Sequence, residues 1–248
     1  MSQILCVIPS RIGSTRLKRK PLALLAGKTM VQRTYEAART CSAFAEVVVA
    51  TDSDEIADVI KKCGGNVIMT DSAIETGSDR VAFVAGLYPE MEIIANLQGD
   101  EPFVRQEMLT ALVQPYLNGE RPEMTTLANP LDFAHQYQSS DMVKVIVDKN
   151  HNAIYFSRSP IPYQREIIEN IPVYHHQGMY AFTREFLLVY TKLPQLPLEL
   201  SEKLEQLRAL EHGYKIRVCT TEHKTLEINT PEELAQAQVL AENYWPAT

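Results

Sequence analysis

Between Arg11 and Lys20, five basic residues (Arg11, Arg16, Lys18, Arg19 and Lys20) are mixed with Gly13, Ser14 and Thr15, in a chain whose formal net charge is −7. Short hydroxyls, a glycine and fixed cations are what a polyphosphate needs. Main-chain amides and hydroxyls contact the oxygens while Arg and Lys neutralise the charge. A solvated basic segment is the other use of such a run, but in an acidic chain a basic cluster asks for a local reason. The loop has neither the GxxxxGK[ST] of a P-loop nor the GxGxxG of a dinucleotide turn. That argues against a P-loop NTPase and a Rossmann dehydrogenase alike. A second candidate is Gln98-Gly99-Asp100. A carboxylate facing a nucleoside triphosphate is repulsive unless a cation lies between, which makes Asp100 the leading Mg²⁺ ligand; a turn-forming or capping aspartate is the alternative. In Gly77-Ser78-Asp79-Arg80, Ser78 or Asp79 serves as a helix N-cap, or the amides and hydroxyl of this start read a base edge; the two roles are compatible. Arg158 suits an anionic ligand, because guanidinium pairs bidentately with carboxylate, and a surface ion pair is its other use.

These residues need a scaffold. Ile4 to Ile8 is apolar throughout, as in a strand buried on both faces of a parallel sheet, with Pro9 expected to end it. The spacing predicts a helix over Met30–Cys41, a strand over Glu46–Ala50, a helix ending at Gly64-Gly65 and a strand over Asn66–Thr70. Such β-α-β alternation implies a parallel sheet covered by helices. Ile93–Leu97 is a further central strand that delivers Gln98 and Asp100 to its carboxyl end, where open α/β sheets bind ligands. After a helix over Gln106–Leu117 the pattern changes. Strands are expected at Met124–Ala128, Val143–Val147 and Ala153–Phe156, the last two as a hairpin, with a loop over Tyr163–Tyr174. A helix over Arg184–Tyr190 follows, then one from Ser201 to His212 with Leu200, Leu204, Leu207 and Leu210 as its stripe. Lys215–Cys219 reads as a late strand. Thr230-Pro231-Glu232-Glu233 opens the last helix, with proline at its first position and acid in its first turn.

At 248 residues the chain is long enough for a sizeable core, and it reads as one domain whose middle, about 120–200, is embellished. The negative charge speaks against general nucleic-acid binding. No apolar run approaches a membrane span, and the start shows no signal-peptide pattern. Cys6, Cys41, Cys63 and Cys219 are too scattered for a zinc or redox motif. A soluble, cytoplasmic protein with free thiols is the expectation.

Pro9-Ser10-Arg11, Gly13-Ser14-Thr15-Arg16-Leu17 and Lys20-Pro21-Leu22 resemble the signature loop of the 3-deoxy-manno-octulosonate (KDO) cytidylyltransferases. The resemblance continues, in collinear order, through Ala50-Thr51-Asp52, Gly77–Arg80, Leu97–Pro102, Tyr155–Arg158 and Leu204–Arg208. It implies a three-layer Rossmann-like α/β nucleotidyltransferase fold with a mostly parallel sheet and an inserted hairpin region. It further implies transfer of CMP from CTP to KDO for lipopolysaccharide synthesis, with Mg²⁺ as cofactor and a homodimer as the assembly. On this resemblance Arg11, Arg16 and Lys20 hold the triphosphate, and Pro9, Ser10, Ser14, Gly77, Ser78 and Arg80 contact the nucleotide. Gln98, Arg158, His176, Tyr180, Glu205 and Gln206 hold the sugar, with His176 as a hydrogen-bonding group. By residue type alone, His176 reads as a satisfied structural histidine, and Glu205 and Gln206 as a solvated helix face. The family pattern carries a second metal-binding aspartate before the last helix, where this chain has Asn229, and Pro-Gly where it has Lys18-Arg19. An amide oxygen still coordinates Mg²⁺ but brings no charge. Two alternatives stay open: a cytidylyltransferase for a related acidic sugar (an amino-substituted octulosonate or a sialic acid), and a catalytically weakened nucleotide-binding paralogue.

Overall fold

The computed structural model describes residues 3–13, 17–133, 135–166, 168, 171–226 and 228–245. In chain order its elements are β1 (Ile4–Ser10), a 3₁₀ turn (Lys20–Leu22), β2 (Leu24–Leu25), β3 (Lys28–Thr29), α1 (Met30–Arg39), β4 (Glu46–Thr51), α2 (Asp54–Lys62), β5 (Asn66–Met69), α3 (Gly77–Leu87) and β6 (Ile93–Asn96). There follow α4 (Gln106–Leu117), β7 (Met124–Pro130), β8 (Lys144–Val147), β9 (Ala153–Ser157), β10 (Val173–Thr183), α5 (Arg184–Tyr190), α6 (Pro197–Glu202), α7 (Leu207–Glu211), β11 (Ile216–Thr220) and α8 (Pro231–Tyr244). The chain divides into two compact units, residues 1–109 with 225–248, and residues 110–224.

In the first unit four parallel strands lie in the order β6-β1-β4-β5. β1 is buried along its whole length, which is why its sequence is apolar without alternation. Pro9 does not end this strand. It lies inside β1, opposite Ala50 of β4. The carbonyl of Val7 accepts from Leu97 on the β6 side, so Pro9, two residues on, directs its missing N–H to the same side. There β6 has already ended, and no ladder bond is lost. α2 buries Ile56, Ala57 and Ile60 and carries acid in its first turn and lysines in its last. It stops in a Schellman turn: Gly64 at φ 74° and hydrogen bonds from Gly64 N to Lys61 O and from Gly65 N to Ile60 O. Residues 225–248 belong to this unit through a cluster of Leu25, Met30, Phe103, Ile228, Ala237 and Ala241. Phe103 stacks on Trp245, and the Arg33 guanidinium lies 4.1 Å from the Trp245 ring centroid.

In the second unit β7 pairs antiparallel with β10 and parallel with β11, while β8 and β9 form the expected antiparallel hairpin and β8 also joins the start of β10. The single helix expected from Ser201 to His212 is instead two short ones, α6 and α7, broken at Lys203 with φ 55°. The reason is a buried ion pair. Arg208 Nε and Nη2 meet Glu199 Oε2 and Oε1 at 2.8 and 2.6 Å. On a continuous helix residues nine apart would be separated by about 13 Å along the axis. The pair therefore forms only if the helix breaks. Glu211 then caps α6, accepting from the amides of Leu198 and Glu199. Among the described residues, no helix is long and apolar enough to cross a membrane.

The start of α8 is set by a reciprocal cap: Thr230 Oγ1 accepts from Glu233 N while Glu233 Oε2 accepts from Thr230 N. Replacing Thr230 with Ala is expected to lower unfolding free energy by about 1 kcal/mol in urea titration, with the slope unchanged.

Candidate active site

At the carboxyl ends of β1 and β6 the first unit opens a cleft of about 500 Å³. Pro9, Ser10, Arg11, Lys20, Gly77, Arg80, Gln98, Asp100 and Asn229 all line it, together with Gly13, Pro21, Glu75, Thr76 and Gly99. Nine of the residues singled out by type or resemblance are thus brought to one place. Ser14 and Arg16 lie outside the described residues. Ser78 is buried on α3 and is not among the lining residues.

The centre of the cleft is an ammonium group. Lys20 Nζ donates to Asp100 Oδ2 and, at 3.0 Å, to Asn229 Oδ1, with both acidic partner and cation mostly shielded from solvent. Lys20 arrives from the 3₁₀ turn, whose Pro21 fixes the chain direction. Asp100 comes from the loop after β6, and Asn229 from the residue before the α8 cap. Glu233 holds Asn229 as well, its carboxylate accepting from Asn229 N at 2.6 Å. Gly99 lets two loops approach: a Cβ there would stand 3.2 Å from Pro9 O and 3.3 Å from Ser10 Oγ. Thr34 Oγ1, on α1, donates to Gly99 O at 3.2 Å and steadies that peptide. Ser10 Oγ is buried and lacks a hydrogen-bond partner among the described residues, a group ready for a ligand oxygen. Arg11 reaches the Glu75 carbonyl at 3.1 Å and is otherwise exposed at the cleft.

Arg80 behaves differently from a surface phosphate clamp. It is buried, with its guanidinium held by Thr70 Oγ1, by Asp52 Oδ2 at 3.3 Å and by Ile74 O at 3.3 Å. It braces the cleft wall from inside. The cap of α3 is Thr76, whose Oγ1 accepts from Asp79 N, and not the expected Ser78 or Asp79.

Asp100 and Asn229 present two hard oxygens that converge on one cation, which fits Mg²⁺, an ion that takes one or two protein oxygens and completes its shell with phosphate and water. Among the described residues no group of three or more His, Cys, Asp or Glu could form an all-protein metal cage.

Gln98 stands in this first-unit cleft, its Nε2 3.3 Å from Asn96 Oδ1. The other sugar candidates belong to the second unit. His176 is buried on β10, with Nε2 2.9 Å from Thr126 Oγ1, and its ring meets Phe156 edge-on. Burial, reinforced by neighbouring His175, pushes its pKa down to about 3, so it is a neutral hydrogen-bonding group. Tyr180 follows it along β10 beyond a bulge, with ring centroids 5.7 Å apart, and its hydroxyl donates to Gln206 Oε1 at 3.2 Å. Gln206 Nε2 is buried with no partner among the described residues. The Glu205 carbonyl accepts from Tyr190 at 2.8 Å, and the Arg208 guanidinium lies over the Tyr190 ring. Arg158 is part of a separate polar network around Glu202. Thr34, Tyr190 and Glu202 carried no motif; only their tertiary contacts reveal them.

A parallel α/β sheet with a cation, a carboxylate and an amide at its carboxyl edge defines a nucleotide-handling enzyme. The chain belongs to the cytidylyltransferase family: the family model described as "Cytidylyltransferase" matches residues 5–216. It is 55% identical over 236 residues to the 3-deoxy-manno-octulosonate cytidylyltransferase of Acaryochloris marina, covering 95% of this chain and 96% of that one. The protein of the same name from Leptospira interrogans is 45% identical over 237 residues, 94% of each. Among solved structures, a CMP:2-keto-3-deoxy-manno-octonic acid synthetase complexed with CTP superposes with a TM-score of 0.91 at 37% identity, covering 97% of this chain and 99% of that one. The fold is therefore the Rossmann-like nucleotidyltransferase fold, and the protein is a nucleotidyltransferase.

His176 also sets a pH dependence. The unfolded chain binds a proton at this residue below about pH 6.5, whereas the folded protein does so only near pH 3. Between these limits stability falls as pH falls. At pH 5 the loss relative to neutral pH is about 2 kcal/mol from this residue. A His176→Gln variant is expected to lose correspondingly less between pH 7.5 and 5 in paired urea titrations.

Proposed function

We propose that this protein transfers CMP from CTP to 3-deoxy-D-manno-octulosonate, giving CMP-KDO and pyrophosphate. The observation that carries the reading is the meeting of Lys20, Asp100 and Asn229 in one cleft with Arg11, in a chain 55% identical to a protein named for that activity. The sugar 2-hydroxyl oxygen forms the new bond to the α-phosphorus as its proton is released to solvent, the α–β bridging bond breaks, and pyrophosphate leaves with that electron pair. Such a displacement asks the protein mainly for positioning and charge neutralisation. Arg11 and Lys20 supply cations for the triphosphate, with Arg16 in the same role by resemblance. Ser10 offers a buried hydroxyl to a phosphate oxygen. In the second unit neutral His176, Tyr180 and Gln206 offer hydrogen bonds to sugar hydroxyls, and Arg158 offers a guanidinium to the sugar carboxylate. Asp100 and Asn229 would hold Mg²⁺, which supplies further neutralisation of phosphate charge when bound. The product's use in lipopolysaccharide synthesis, a homodimeric assembly and a cytoplasmic location complete the reading, and these rest on the resemblance alone.

Pyrophosphate release from CTP plus KDO, followed across a Mg²⁺ titration with Asn229→Asp alongside, tests it. Release by the unmodified protein is expected. The variant, with one more negative charge at the cation, is expected to reach half-maximal rate at several-fold lower Mg²⁺. Silence from both folded proteins with KDO, and turnover with an amino-substituted octulosonate or a sialic acid, would move the assignment to that sugar. CTP binding without turnover of any acidic sugar would identify a weakened paralogue.

A further inference from the structure

In the second unit two cations and one carboxylate are tied into a clasp that neither the nucleotide cleft nor the sugar hydroxyl contacts require. Lys144 on β8 is fully buried, yet its ammonium donates to three carbonyls: Ser139 O at 2.6 Å, Met142 O at 2.7 Å and Arg158 O. Glu202, the last residue of α6, accepts from Ser157 Oγ at 2.5 Å and from Arg158 N at 3.0 Å, and its main-chain oxygen takes Arg158 Nε at 3.1 Å. Arg158 Nη1 reaches Ser140 O at 3.2 Å.

The distribution of these bonds matters. Every partner of the Arg158 guanidinium is a carbonyl, and the Glu202 carboxylate is turned to a main-chain amide and a hydroxyl. Arg158 is thus fixed at Nε and Nη1, while its charge has no carboxylate in direct contact and Nη2 has no protein partner among the described residues. Burying Lys144 is costly unless its donors are satisfied. Three carbonyls do so, and two of them belong to the 139–142 segment that also holds Arg158. A bidentate carboxylate would have immobilised the arginine equally well but would have cancelled its attraction for an anion.

We infer that Lys144 and Glu202 are positioning residues that hold Arg158 rigid while keeping its guanidinium out of direct contact with a carboxylate, so that it takes the carboxylate of the acidic acceptor. The inference rests on the acceptor reading given above. Neither residue touches the substrate; both act through Arg158.

The test measures KM for KDO and for CTP in Lys144→Met, Glu202→Gln and Arg158→Ala, and in the two doubles that combine Arg158→Ala with each of the others. It also follows the Arg158 Nε–H signal by ¹⁵N-resolved NMR. Each positioning variant is expected to raise the KM for KDO about tenfold, keep the KM for CTP within about twofold, and broaden the Nε–H signal. On the Arg158→Ala background neither should raise it further, as residues acting as one unit are non-additive. Equal rises for both substrates, additivity with Arg158→Ala, or an unchanged Nε–H signal would overturn the inference. So would an Arg158→Ala variant whose KM for KDO does not move. If Lys144→Met fails to fold, Glu202→Gln, which keeps the side chain's shape, decides alone. An unmodified protein that does not turn over KDO would overturn the proposed function, and the Nε–H signal would still report on the clasp.

Discussion

One ammonium group organises the nucleotide cleft. Lys20 comes from the loop after β1, Asp100 from the loop after β6 and Asn229 from the chain just before α8, and all three meet at Nζ. Remove the cation and two oxygen ligands face each other with no positive charge between them. The surrounding structure serves this meeting point: Gly99 permits the close approach, Thr34 steadies the Gly99 peptide, and Glu233 secures Asn229 through the same carboxylate that caps the helix. The arrangement carries less negative charge than two carboxylates would. Lys20 and Asp100 balance each other, and Asn229 adds only a dipole.

The second unit solves a different problem, keeping polar groups in a largely apolar setting without losing their usefulness. His176 is kept neutral by burial, and the Glu199–Arg208 pair is enclosed and bidentate. That pair breaks what would otherwise be one helix, and the turn it creates carries Glu205 and Gln206. Gln206 is left with a buried amide nitrogen that has no partner among the described residues. An unsatisfied donor of this kind is expensive in a resting protein and useful in one that binds hydroxyl-rich ligands.

Much of this was legible in the residues. The apolar runs of β1, β4 and β6, the α4 limits at Gln106 and Leu117, the hairpin of β8 and β9 and the proline start of α8 follow from local pattern, which local physics also enforces. Arg11, Lys20 and Asp100 were legible because cations, a glycine and a carboxylate fall just beyond strand ends, whereas Asn229 and the sugar role of Gln98 came only from the family resemblance. What local pattern misplaced depended on distant partners. Pro9 stays in its strand because β6 stops short, a fact of register. The helix predicted from Ser201 breaks because Glu199 must reach Arg208. Thr76 caps α3 in place of Ser78, a shift of two residues in a run rich in capping types. Lys144, which reads as an ordinary lysine in a strand, is a buried tether, and no periodicity announces three carbonyls waiting for one ammonium.

The first unit is made from two stretches of chain separated by the whole of the second. The bond from Lys20 to Asn229 spans 209 residues of sequence. Loops that long close late, and a growing chain folds from its amino end as it emerges. The early strands β1, β4 and β6 are therefore synthesised well before the segment that completes their cleft. During that interval Lys20 has only Asp100 of the two oxygen ligands available to it. The meeting of both oxygens at one ammonium is in this sense a property of the finished chain, complete only when the segment ahead of α8 returns.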